Sequence, residues 1–280
     1  MKTALDIEGR SEHPTHKVGA LICGQDHSGT HYQIAKSNFW PKQLEEKIGR
    51  NEKLGNASTT VHAEIAALYA TQNTNDATIY ITDLPCPNCA KMIAESGIKT
   101  IYIDSHTHNT PLGLKMKPYF EGISKCIFKA ANIDVYEMNC ETKEIHHIVE
   151  SSSSKLINIH RPLERFSIDN NLLTNAAFEN FIKQSDKDKP YAACFAHTPM
   201  GQYIYISAQA HRSIGLSKKD ADEIENTQDK YESYIQPLNR LIIACARYGL
   251  SIEENYIFSS QVPTSREFVN LIGAGHTHIK

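Results

Sequence analysis

His62-Ala63-Glu64 and Pro85-Cys86-Pro87-Asn88-Cys89 set the narrowest limits on what this chain can fold into. Between them lie an apolar helical run, Ile65-Ala66-Ala67-Leu68-Tyr69-Ala70, a polar loop and a strand-like Ala77-Thr78-Ile79-Tyr80-Ile81-Thr82. The second cluster opens a further helix, Pro87 to Ser96, with Cys86 and Cys89 at its start, where the helix dipole favours thiolate. Two helix starts can therefore bring one imidazole and two thiols to a single point. Three N/S ligands with an open fourth position describe a reactive zinc site rather than a purely structural one. Zinc held by His62, Cys86 and Cys89 would lower the pKa of a water from ~16 to ~7, and Glu64 at the same helix start is placed to take the proton. Read alone, Cys86-Pro87-Asn88-Cys89 also fits a redox pair, and buried His and Cys are often core residues. Only a metal uses all four residues.

The 280 residues leave room for one large domain or two ordinary ones. Hydrophobic content of 40% and charged content of 22% are those of a soluble globular protein, with no window apolar enough to span a bilayer. Met1-Lys2-Thr3-Ala4-Leu5-Asp6 has no apolar stretch behind its charge, so a cytoplasmic protein without a secretory leader is expected. Seven cysteines, two assigned to the metal, do not indicate a disulfide framework, and Cys23, Cys126, Cys140, Cys194 and Cys245 read mostly as small buried hydrophobes. A net charge of −3 argues against a sequence-independent grip on nucleic acid and for a small substrate.

Along the first half, the pattern predicts a short helix at residues 2–12, a hairpin of strands Val18 to Cys23 and His31 to Lys36, and a charged, partly helical Gln43 to Glu52. Thr59 or Thr60 is the expected cap of the helix at His62. After the helix stopped by Gly97, Thr100 to Asp104 is a strand parallel to the one at 78–82, Ser105 to Pro118 a loop, Tyr119 to Ala131 a helix and Ile133 to Met138 a last strand. This order gives an α/β layered domain over residues 1–140.

The run from Ile81 through Pro85-Cys86-Pro87-Asn88-Cys89 to Ile93, followed by Ser96-Gly97-Ile98, resembles the deoxycytidylate deaminase branch of the cytidine deaminase-like superfamily. His-x-Glu with Pro-Cys-x-x-Cys is likewise the signature of zinc nucleobase deaminases. The resemblance implies a three-layer α/β/α cytidine-deaminase-like fold and Zn²⁺ on His62, Cys86 and Cys89, with Glu64 as the catalytic carboxylate. It also implies hydrolytic deamination of a free nucleotide, nucleoside or base, foremost a cytosine-bearing nucleotide such as dCMP, giving the uracil product and ammonia. Asn38, in Ser37-Asn38-Phe39-Trp40-Pro41, is similar to a family turn that contacts the sugar, although Phe and Trp stand where the family often has Gly and Phe. Ala63 would line the substrate beside it. Superfamily members commonly assemble so that a neighbouring subunit closes the pocket, which implies a homo-oligomer. An RNA, single-stranded DNA or purine deaminase stays open as an alternative, as does a catalytically silent zinc-bearing interaction or regulatory module.

Residues 141–170, with Ser151 to Ser154 and Arg161-Pro162, read as a linker. His146-His147 and the His-Thr-His triplets at 106–108 and 276–278 lack thiol or carboxylate partners at fixed offsets and read as solvated loops. Residues 171–280 then repeat the first half: helix Leu172 to Gln184, strands Tyr191 to Ala196 and Gln202 to Ala208, helix Ala221 to Tyr248, strand Tyr256 to Ser259, helix Ser265 to Ile272 and an extended end at His276 to Ile279. Pro263 falls where Pro85 does, Gly275 where Gly97 does and Ile279 where Ile101 does, with Thr264 and Glu267 at the positions of Cys86 and Cys89. A degenerate, metal-free second copy is expected, two unrelated α/β units being the alternative.

Overall fold

Ala20-Leu21-Ile22 is apolar on both faces, so the strand it forms must be covered twice. In the computed structural model, which describes all residues except 51, 152–162, 186–187 and 224–230, helix α1 (Lys2–Glu8) covers one side of strand β1 (Gly19–Gln25), with Met1 and Ala4 on Leu21. Ala20 and Ile22 point the other way into the main core, as the two-residue period requires. Strand β2 (His31–Ser37) closes the expected hairpin, its turn fastened by the Asp26 carboxylate, which accepts from the Ser28 and Thr30 amides. Helix α2 (Lys42–Lys47) and the short hairpin of β3 (Lys53–Leu54) and β4 (Ala57–Ser58) lead to α3 (Ala63–Tyr69).

Strand β5 (Thr78–Ile81) runs antiparallel to β1; α4 (Pro87–Ser96) then crosses to β6 (Thr100–Asp104), which is parallel to β5 with Tyr80 opposite Tyr102. Gly97 ends α4 in the left-handed region, φ +86. Ser105 to Pro118, expected as a loop, is instead mostly helical. Thr110 accepts from Gly113 N and Pro111 opens α5 (Pro111–Tyr119), two start signals that outweigh Pro118 near its end. A π-helical turn, Phe120–Ser124, carries the chain past Pro118 into α6 (Lys125–Ala130). Strand β7 (Asp134–Met138) is parallel to β6, but it is not the last: β8 (Ile145–Val149) pairs antiparallel with it. The sheet order is β2-β1-β5-β6-β7-β8. With α3, α4 and α6 on one face and α1 on the other, the first half is a three-layer α/β/α unit.

Residues 141–170 also carry β9 (Leu163–Ser167), so the expected linker contains two sheet strands, while Ser152 to Ser154 and Arg161-Pro162 lie outside the described residues. Helix α7 (Asn175–Gln184), β10 (Tyr191–His197), β11 (Tyr203–Gln209), β12 (His211–Arg212), α8 (Lys218–Glu223) and β13 (Tyr234–Ile235) follow. The single helix expected over Ala221 to Tyr248 is therefore interrupted. Pro237, unfit for a helix interior, sits at the first position of α9 (Pro237–Arg247), before β14 (Ser251–Ser259) and α10 (Ser265–Gly273). The second sheet has the order β14-β10-β11-β9, and β10 pairs antiparallel with both β11 and β14, as β1 pairs with β2 and β5. Phe178 of α7 packs on Tyr191, Phe195 and Tyr205 on one face, and α9 packs Leu238, Leu241 and Cys245 on Cys194 and Ile206 on the other. The chain end lies beside β14: Lys280 N donates to Ile257 O (2.9 Å) and Ser259 N to Lys280 O (3.1 Å). Among the described residues no helix is long and apolar enough to cross a membrane.

The halves share one core. Ile214, Leu216, Ile235, Ile243, Val269 and Ile272 belong to the same cluster as Ile65, Leu68, Met92 and Ile93. Gly215 marks a close approach: its φ is +82 and a Cβ there would lie 1.8 Å from Ala130 O at the end of α6. Gly29 shares that φ with nothing within 4 Å. Gly29→Ala should therefore lose only about 1–2 kcal/mol, the left-handed penalty, whereas Gly215→Ala should lose clearly more, as read from urea unfolding of both variants. Equal losses would show that the contact between the halves contributes nothing.

Candidate metal centre and its pocket

The two helices that bracket the site begin without side-chain caps. His62 is the N-cap of α3 (φ −73, ψ 150) and Cys86 the N-cap of α4 (φ −69, ψ 162), and neither side chain makes a capping hydrogen bond. Thr59 and Thr60, the expected caps, are displaced one turn upstream. Phe39 and Val61 exchange both backbone hydrogen bonds (3.2 and 2.9 Å), which fixes the chain entering α3 and makes His62 the first residue able to turn into the helix. The imidazole and the thiol are thereby left to face each other, with Cys89 on the first turn of α4.

Nδ1 of His62 lies 3.2 Å from Cys89 Sγ and 3.6 Å from Cys86 Sγ, and the three donor atoms all lie within 4.8 Å of one another. Donors at about 2.1 and 2.3 Å from one tetrahedral ion stand about 3.6 Å apart, so the set fits a thiolate-loving metal such as zinc, with Nδ1 as the imidazole donor. The protein alone does not favour the ionised ligands: burial, and then the neighbouring Cys86, push the Cys89 thiol well above its usual range. A divalent cation offsets that penalty.

Glu64, 4% exposed, is the second residue of α3. Its pKa is pushed up to about 8, first by burial and then by the charge of Cys86. Ala63 beside it is fully buried, and both line a cavity of about 410 Å³. The loop that delivers Cys86 is held from below by residues the sequence did not single out. The Asp83 carboxylate accepts from Leu84 N and from Thr107 Oγ1 (2.6 Å each), and Ser124 Oγ donates to Pro85 O (2.9 Å). Thr107 and Ser124 lie far along the chain from Asp83 and Pro85, so no local pattern announces these two contacts.

Asn38 also lines the cavity, but its side chain, 5% exposed, has work inside the protein. Its Oδ1 accepts from Ser11 Oγ (2.8 Å) and Val18 N (2.9 Å), and its Nδ2 donates to His16 O (2.8 Å). Lys53 and Lys115 reach the rim, with His13 and His16, whose imidazoles burial holds below their ordinary pKa. From the second half comes Tyr231, stacked on Tyr119 with ring centroids 4.6 Å apart. Elsewhere His108 meets Glu137 (2.6 Å) and His147 meets Asp134 (2.9 Å). Cys194 and Cys245 are buried as expected, while Cys140 is exposed.

Residues 1–105 match the family model of the cytidine and deoxycytidylate deaminase zinc-binding region. Over that region the chain resembles the cytidine and deoxycytidylate deaminase superfamily. Among its relatives, a protein described as an uncharacterized deaminase in the luxG 3′ region of Aliivibrio fischeri is 28% identical over 130 residues, 45% of this chain and 81% of that one. The deoxycytidylate deaminase of Enterobacteria phage T2 is 46% identical over 56 residues, 18% of this chain and 30% of the phage enzyme, so the match spans under a third of that relative. The crystal structure of dCMP deaminase from the cyanophage S-TIM5, in complex with dCMP and dUMP, aligns with 49% of this chain and 92% of its own at 24% identity and a TM-score of 0.32.

The donor geometry of the deaminase region carries a direct expectation. Protein purified from metal-replete cells should hold close to one transition-metal ion per chain by elemental analysis, and Cys86→Ala and His62→Ala far less. Native protein without bound metal would defeat the assignment of these three ligands.

Proposed function

We propose that the chain is a zinc-dependent hydrolase that releases ammonia from a free cytosine-bearing nucleotide, with dCMP the leading candidate. The observation that carries this reading is Glu64: a carboxyl buried beside three metal donors and lining a nucleotide-sized cavity of about 410 Å³. A silent binding module has no use for a carboxyl in that place. The deoxycytidylate deaminases among the relatives support the choice of base and phosphate. So do Lys53 and Lys115, whose ammonium groups can meet a phosphate at the rim, which a bare nucleoside would not need.

His62, Cys86 and Cys89 would hold the zinc, which when bound lowers the pKa of a water to ~7 and so supplies a nucleophile at neutral pH. Glu64 would take one proton from the attacking water and give it to the ring nitrogen, then carry the second, from the newly formed hydroxyl, to the departing amine. Cytosine and water thereby become uracil and ammonia. Ala63, small and fully buried, lets the base come close to the start of α3, and Asn38 holds the wall formed by His16 and Val18 while offering an amide edge to the sugar. Leu84, Leu112 and Met116 supply apolar cover that excludes bulk water.

Glu64→Gln should abolish ammonia release from dCMP while the zinc content stays at the native value. A variant that keeps turnover removes Glu64 from the chemistry, and a native protein silent on cytosine, cytidine, deoxycytidine, dCMP, dCTP, guanine and adenosine removes the deaminase reading altogether. Lys115→Ala should raise KM for dCMP by about tenfold or more, the worth of one charge-assisted contact, and leave KM for deoxycytidine unchanged.

We further infer that residues 171–280 form a metal-free copy of the same unit. The pairing of β10 with β11 and β14 supports this, as does Lys280, whose two bonds set it opposite Phe258 as Tyr102 is set opposite Tyr80. Where α4 has thiols, α10 has Thr264 and Glu267, and the Glu267 carboxylate accepts from Leu238 N (2.8 Å) and Thr264 N (2.9 Å), joining the starts of α9 and α10. Glu267→Ala should cost about 2–4 kcal/mol in chemical unfolding, through a lost capping box and two amides, that of Leu238 buried and that of Thr264 partly so, left without this acceptor. A loss below about 1 kcal/mol, that of an ordinary surface change, would show that the carboxylate does not hold the two helices together.

A further inference from the structure

We propose that Arg266, in the second half, is a positioning residue for the metal centre in the first. The inference rests on the metal-site reading above and extends it to a residue outside the deaminase region. Arg266 is 2% exposed and lies on the first turn of α10. Its Nη1 donates to Thr60 O (3.0 Å) and its Nη2 to Ser58 Oγ (3.2 Å). Thr60 and Ser58 both line the cavity, and Thr60 stands two residues before His62.

Helix α10 supports this segment at three levels. At its start, a Cβ on Gly55 would lie 2.5 Å from Ser265 Oγ; on its first turn Arg266 bonds Ser58 and Thr60; at its end, a Cβ on Gly273 would lie 2.4 Å from a Val61 methyl. The stretch from Gly55 to Val61 is thus laid along the helix like a strip along a splint. On its other edge Val61 is bonded to Phe39. These two restraints decide where the chain turns into α3, and hence where the His62 imidazole meets Cys86 and Cys89. The choice of side chain is consistent with that task. A guanidinium presents its donors in a fixed plane and reaches two acceptors at once, which a lysine ammonium cannot do with the same geometry. A cation this deeply buried also costs free energy, so its retention makes sense where it orders something that matters. Glu267, bonded to Leu238 N and Thr264 N, fixes the start of α10 from which the arginine reaches.

The experiment uses the full chain, stripped of metal and titrated with Co²⁺, whose visible and thiolate charge-transfer absorption reports the ligand geometry without substrate. Arg266→Ala and Arg266→Lys are compared with the native protein for Co²⁺ affinity and spectrum, for kcat and KM on dCMP, and for thermal unfolding. In Arg266→Ala the affinity should fall about 10–100-fold, as expected for a residue that orients a ligand, with an altered Co²⁺ spectrum and a loss in kcat larger than the rise in KM. Low-millimolar guanidinium ion should restore the spectrum in part, and Arg266→Lys should lie between the two. A native Co²⁺ spectrum and affinity in Arg266→Ala, with only a lower unfolding temperature, would overturn the proposal and leave Arg266 a structural residue. If Arg266→Ala does not fold, Arg266→Lys and Ser58→Ala decide in its place, and native spectra and affinities in both count against it. The Co²⁺ readings stand apart from the deaminase reading, which fails only on ammonia release by the native chain.

Discussion

Two helix N-termini pointing at one spot are a physical problem before they are a site. Each presents amides without carbonyl partners and the positive end of its dipole, so some electron-rich group must lie between them. Both halves contain such a pair. Between the starts of α3 and α4 lie the Cys86 and Cys89 sulfurs with the His62 nitrogen, while between α9 and α10 lies the Glu267 carboxylate, bonded to amides on both sides. The first solution leaves thiols whose ionisation is opposed by burial, and so calls for a cation. The second is complete in itself. One arrangement of backbone thus frames a candidate metal centre in one place and a closed joint in the other, according to which side chains stand at the helix starts.

The joint bears on the centre because the halves are not separate bodies. Helices α3 and α4 of the first half pack on α9 and α10 of the second, and Tyr69 touches the apolar clusters of both. Around this core run polar contacts that cross between them. Lys91 Nζ donates to Tyr234 O (2.7 Å), Arg247 Nε to Asn75 Oδ1 (2.8 Å), and Arg240 Nε lies 3.6 Å from Glu95 Oε2. Groups of this kind add little net stability over apolar replacements, but each contact forms in only one relative placement of the halves. They convert a greasy contact that could slide into one with a fixed register.

How much of this was legible in the sequence depended on the range of the forces involved. The bounds of α4 could be read because Pro87 and Gly97 act on their immediate neighbours, and β6 because Thr100 to Asp104 alternates between Gly97 and the polar turn that follows. That His62, Cys86 and Cys89 would converge could be read from residue type and spacing. What went unread was settled across the chain: α5 starting at Pro111 where a loop was expected, the break of the helix expected over Ala221 to Tyr248, and the shift of the α3 cap from Thr59 or Thr60 to His62 by the Phe39–Val61 bridge. Asn38 shows the same limit. The resemblance of its turn implied a sugar contact and it does line the cavity, but its three hydrogen bonds to Ser11, Val18 and His16, none of them its neighbours in sequence, could not be read beforehand.

The cavity over the metal donors is therefore a product of both halves, and its walls show why. Its floor, with Glu64 and Cys86, is set by α3 and α4 and the sheet beneath them, elements rigid enough to hold donor atoms to within tenths of an ångström. Its sides come from segments with little regular structure: His13 to Val18, Lys53 to Thr60, and Tyr231. A segment with little or no ladder of its own must borrow order from what it touches. The first is tied by Asn38, the second lies along α10, and Tyr231 rests on Tyr119. Two of these three supports join one half to the other, so a chain holding only the first half would keep the donors and lose the frame that shapes the space above them.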